Sequence, residues 1–191
     1  MTTHTDTLAD YRFKSGSNRM GLWLFILSDS FVFLGLLVSR FYLFGGQRPE
    51  LNPILGLIVT AMLLTSSFFM NRAESAMAFG DVNRFLRGIL ITLVLGVLFL
   101  LGVVGVEWQI APFSPGDNAM ASVFYMMTGM HAFHVLTGVI FLFIVYLNGR
   151  KGLYSAERHW PVEAAAVYWH FVDVVWVFFY PALYLMGAPA G

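Results

Sequence analysis

Five long apolar runs separated by four short polar breaks make up nearly the whole chain. The runs cover residues 20–44, 53–71, 85–106, 121–147 and 162–186. An α-helix needs about 20 such residues to cross a hydrocarbon core of about 30 Å, and each run meets or approaches that length. The breaks "GGQRPELNP", "NRAESAMAFGDVNR", "APFSPGDN" and "NGRKGLYSAERHWP" carry the Gly, Pro, Asn and charged residues of turns. This pattern predicts an all-α membrane protein with five transmembrane helices in one bundle over 20–187, behind an N-terminal segment, 1–19. No internal repeat and no soluble domain is visible.

Composition agrees with the pattern. Of the 191 residues, 58% are hydrophobic and 12% charged, whereas a soluble domain is about half apolar and about a quarter charged. Net charge is zero, which gives no reason to expect a nucleic-acid partner. The absence of cysteine excludes disulfides, cysteine-bound Fe–S clusters, thioether-attached haem and thiolate copper centres. The opening "MTTHTDTLADYRFKSGSNR" is polar and mixed in charge. It resembles neither a secretory signal nor an organelle leader, so the chain is expected to begin near Met1.

The basic residues set an orientation. Arg12, Lys14 and Arg19 precede the first run, Arg72, Arg84 and Arg87 flank the second break, and Arg150, Lys151 and Arg158 lie in the fourth. Only Arg40 and Arg48 lie toward the other side. The positive-inside rule therefore places the N-terminus in the cytoplasm and the C-terminus in the periplasm.

Ionisable residues interrupt three of the apolar runs. At a rise of about 1.5 Å per residue, Asp29 lies about 13 Å from the cytoplasmic end of its run, and His170 and Asp173 about 10 and 15 Å. His131 and His134 lie about 17 and 12 Å from the same side. These groups share a layer in the inner half of the membrane, where an unpaired charge is costly. Each i, i+3 pair, His131 with His134 and His170 with Asp173, shares a helix face. Glu107, beside Trp108 at the outer end of the third run, is expected to be solvated.

Three readings of the layer stand on the residues alone. The first is structural: interhelical hydrogen bonds of about 1 kcal/mol each, with the tryptophans of "WHFVDVVW" adding packing and indole donors. The second is haem held between His134 and His170, with Gly129 and Gly138 leaving room for the macrocycle. The third is proton movement through Asp29, set between two serines in "LFILSDSFVF", because burial favours the neutral form of a carboxyl group. No phosphate-binding loop, nucleophile elbow or zinc-protease motif is present. Nor does the pattern favour a secondary transporter, for lack of an inverted repeat.

The segments "GLWLFILSDSFVF", "GVEWQIAPF", "YMMTGMHAFHVLTGVIFL" and "VEAAAVYWHFVDVVWVFFYPALYLMG" make the chain resemble subunit III of the haem–copper respiratory oxidases, from Met20 to Gly187. The resemblance implies a five-helix bacterial short form, without the two helices that make one arm of the V-shaped, seven-helix long form. It implies a non-catalytic accessory subunit of a proton-pumping terminal oxidase that reduces dioxygen to water. Haem and copper would lie in the partner subunits and none in this chain. Catalytic subunit I, other oxidase subunits and membrane phospholipids are the implied partners, and the bacterial plasma membrane the implied location. Asp29 matches the family's buried carboxylate, linked to proton uptake, while His131, His134, His170 and Asp173 would be structural polar contacts. The electron donor is expected to be cytochrome c, with a quinol oxidase as the alternative. A di-histidine b-type membrane cytochrome is the rival from another class.

Overall fold

The structure is a computed structural model that describes residues 7–44 and 46–189. It has five helices long and apolar enough to cross a membrane: α1 (Leu8–Phe44), α2 (Pro53–Ala78), α3 (Val82–Ile110), α4 (Ala119–Arg150) and α5 (Trp160–Leu185). Each contains one of the apolar runs to within a residue. The helices outlast the runs chiefly at the arginine-rich end. There α1 starts at Leu8 and α2 continues to Ala78, because a helical backbone keeps its internal bonds where the side chains turn polar. The N-terminal segment therefore continues into the first helix from Leu8, and residues 1–6 of it lie outside the described residues.

The breaks supply the caps. Asn52 accepts hydrogen bonds from the amides of Ile54 and Leu55, with Pro53 opening α2. Asp81 caps α3 through the amide of Arg84, and Asn118 caps α4 through that of Ala121. Each side chain satisfies a donor that a helix start otherwise leaves open. Between α2 and α3, Gly80 turns the chain at φ +77°, a conformation that costs glycine little.

Helices α2 and α3 form a hairpin; α3 packs on α4, and α5 packs on both α2 and α4. Helix α1 lies outside this four-helix ring, against α4 and α5. Its most apolar window is 11% buried, against 56% for α5, which makes α1 the peripheral helix and α5 the central one. Ile26, Phe33 and Arg40 recur every seventh residue along the seam of α1, the spacing that keeps one helix face on its neighbours.

A π-helical turn, Pro181–Leu185, ends α5, and a π-helical stretch, Leu101–Glu107, precedes the last turn of α3. Pro181 has no N–H to close the α-helical bond, so the last turn of α5 widens. Carbonyls left open at and beyond this helix end are taken up by arginine. Arg40 is buried and donates from Nε to the Ala182 carbonyl at 2.5 Å, and from Nη2 to those of Met186 at 2.7 Å and Gln47 at 3.0 Å. Arg48 donates to the Tyr184 carbonyl. Cations at a helix C-terminus meet the negative end of its dipole. A short parallel pairing of Gln47–Arg48 with Ala188–Pro189 completes this end of the molecule.

Candidate functional site

The buried polar layer is built mainly by α5 facing α2. The indole N–H groups of Trp169 and Trp176 donate to Ser66 Oγ and Thr60 Oγ1, each at 2.9 Å. Between them, Ser67 Oγ lies 2.6 Å from His170 Nδ1. His170 is thus tied to α2 rather than to Asp173, with which it shares a helix face. Ser67 also neighbours the Asp173 carboxyl, but its hydroxyl is engaged with the imidazole, and neither Asp173 oxygen has a hydrogen-bond partner in the described residues. His131 is wholly buried, edge-on to Phe99 and tilted over Trp176, and neither of its nitrogens has a hydrogen-bond partner among the described residues.

Asp29 and His134 come together across α1 and α4. His134 Nδ1 lies 2.8 Å from the Met130 carbonyl one turn back, and a carbonyl only accepts, so Nδ1 carries a hydrogen. His134 Nε2 lies 2.8 Å from Asp29 Oδ2. With hydrogen on Nδ1 alone, Nε2 and an ionised Oδ2 would be two acceptors facing each other, and Oδ2 has no other bond. The separation therefore calls for one more proton, on the imidazole or on the carboxyl group. The pair is neutral as a unit in either form, which removes the cost of an isolated charge at this depth. It forms the polar floor of a 560 Å³ hollow with Phe25, Phe133 and Tyr168 on its walls.

Glu107 departs from its expected setting. It is 2% exposed rather than solvated, and the Tyr184 hydroxyl donates to its Oε1. Depth along one helix could not reveal this: the π-helical end of α5 swings Tyr184 over the end of α3. Glu107 Oε2 has no hydrogen-bond partner among the described residues.

Set against known proteins, residues 9–188 match the family model described as "Cytochrome c oxidase subunit III". The chain is 35% identical over 182 residues to cytochrome c oxidase subunit 3 of Bos mutus grunniens, covering 88% of this chain and 70% of that one. It is 34% identical over 183 residues to its counterpart from Tragelaphus imberbis, covering 89% and 70%. The chain belongs to the cytochrome c oxidase subunit III family. With five membrane-crossing helices, this family member is a multi-pass membrane protein.

The glycines that sequence offered as room for haem are occupied in this subunit III family fold. A Cβ on Gly138 would stand 3.0 Å from the Trp169 ring, and Gly129 faces Trp108. On α4, His131 faces the Trp176 indole and Phe99, while His134 meets Asp29 and Phe33 and borders the hollow already described. Two functional-looking groups escaped the sequence reading, the Arg40 carbonyl cage and the Glu107–Tyr184 contact. Each depends on the π-helical end of α5, for which Pro181 was the one available signal.

Proposed function

We propose that this chain is a non-catalytic accessory subunit of a proton-pumping haem–copper terminal oxidase that takes electrons from cytochrome c. It sits in a bacterial plasma membrane beside catalytic subunit I and other oxidase subunits, with its N-terminus in the cytoplasm. It supports assembly and sustained turnover, and Asp29 takes part in proton uptake. Haem and copper belong to the partner subunits. The observation that carries the reading is the Asp29–His134 pair: it sets an imidazole 2.8 Å from a carboxyl group at the seam of the peripheral helix α1. Around it α1 offers large apolar side chains such as Trp23, Phe31 and Val38 to its surroundings, as a helix does where lipid or a neighbouring subunit completes the contact.

Purification in mild detergent through a tag on this chain, followed by an optical spectrum and a subunit gel, tests the proposal. Haem is expected to arrive with a large partner subunit and to leave when that partner is removed. A chain that purifies alone and keeps haem would overturn the reading and make the histidines ligands.

A further inference from the structure

A second polar feature lies apart from the Asp29–His134 pair, at the arginine-rich end of the α2–α3 hairpin. A hollow of 620 Å³ opens there between the two helices. Arg72 stands on its α2 side and Arg84 and Arg87 on its α3 side. All three are exposed. Asp81 is the one acidic residue in the lining, and it pairs with Arg84 at 3.1 Å. Arg72 stacks over Phe68 at 5.7 Å and Arg87 has no ion pair among the described residues, so two guanidinium groups face the opening without a paired carboxylate there. Small residues, Ala76 and Gly88, floor the hollow, and Phe69 and Ile91 carry it on toward the apolar part of the helices.

We infer that this hollow binds the phosphate headgroup of an anionic phospholipid. Arg72 and Arg87 hold the phosphodiester from either side, and the first methylenes of the acyl chains lie on Phe69 and Ile91. Guanidinium groups present forked donors suited to phosphate oxygens. A basic recess between membrane helices on the cytoplasmic side, grading into apolar surface, matches a lipid in both charge and polarity. A soluble phosphate would use only the polar half of the hollow. The site is separate from the oxidase reading, resting only on the chain spanning a membrane.

The test titrates phosphatidylglycerol into the detergent-purified full-length chain, together with whatever subunits accompany it, and counts bound lipid by native mass spectrometry. Phosphatidylglycerol is expected to bind, phosphatidylcholine to bind poorly and inorganic phosphate to fail to displace the lipid. Arg72→Gln/Arg87→Gln should weaken binding by about 25-fold, a factor of about five for each arginine at an anionic surface. Arg12→Gln/Lys151→Gln, basic positions outside the hollow, should leave binding unchanged. Asp81→Asn keeps an oxygen to cap α3 while removing the opposing charge, and should tighten binding; this variant decides the matter if the double arginine variant fails to insert. Equal binding by wild type and the arginine variant, displacement by inorganic phosphate, or loss of a protein subunit in place of lipid would overturn the inference. Haem content of the same preparations reports on the oxidase reading independently.

Discussion

Trp169 donates its indole N–H to Ser66 on α2 at 2.9 Å while its ring lies against Gly96 on α3 and Gly138 on α4. One side chain of α5 thereby touches every other helix of the inner ring, and the two glycines are the space it occupies. A Cβ on Gly96 would approach the ring to 2.6 Å, closer than packed atoms tolerate. Gly96→Ala is expected to destabilise the bundle by about 1–3 kcal/mol through overpacking. The check is the unfolding midpoint in detergent, and an unchanged midpoint would mean that the ring has room to move.

The Asp29–His134 contact makes a prediction about turnover. In the purified complex, Asp29→Ala should leave haem content normal while slowing proton uptake or shortening the active lifetime. His134→Ala should act in the same direction, and the double variant should be no worse than either single one, because a shared proton makes the two residues one unit. Steady-state turnover and the time course of inactivation are the measurements. Unchanged rate and lifetime in Asp29→Ala would leave the pair as a helix anchor only.

Hydrophobic length alone located all five helices, because crossing a hydrocarbon core imposes a strong and local constraint. Composition and spacing also singled out Asp29, His131, His134, His170 and Asp173 as the polar groups of the spans. Their partners were not legible. His170 finds Ser67, 103 residues away, and His134 finds Asp29, choices set by which helices become neighbours rather than by spacing along one of them. Glu107 was misjudged for a related reason: its cover comes from Tyr184, 77 positions later, through a widened turn.

Arg40 should not be replaceable by lysine. Its fork reaches three carbonyls, those of Ala182, Gln47 and Met186, and a compact ammonium group cannot span the same set. Arg40→Lys is expected to cost about 1.5–3 kcal/mol, the scale of one lost hydrogen bond to a charged group. Its effect should concentrate at the end of α5. Hydrogen exchange should quicken at the amides of Met186 and Ala188, which bond to Pro181 and Gly46. Uniform exchange across the chain would show that the cage does not hold this end in place.

The Glu107–Tyr184 contact predicts an asymmetry between single and double substitutions. Tyr184→Phe removes the donor to Oε1, and Oε2 already lacks a partner, so the buried carboxyl group would keep no hydrogen bond. That should cost about 1–3 kcal/mol, the penalty for stranding a buried polar group. Glu107→Gln retains an oxygen for the tyrosine hydroxyl and should be milder. Glu107→Leu combined with Tyr184→Phe removes both polar partners and should be milder than Tyr184→Phe alone, because nothing polar is then left unpaired. Unfolding midpoints for the wild type, Glu107→Leu, Tyr184→Phe and the double variant give the coupling directly. If the costs of the two single substitutions simply add, the carboxyl group and the hydroxyl do not depend on one another, and the burial of Glu107 must be supported by the surrounding helices instead.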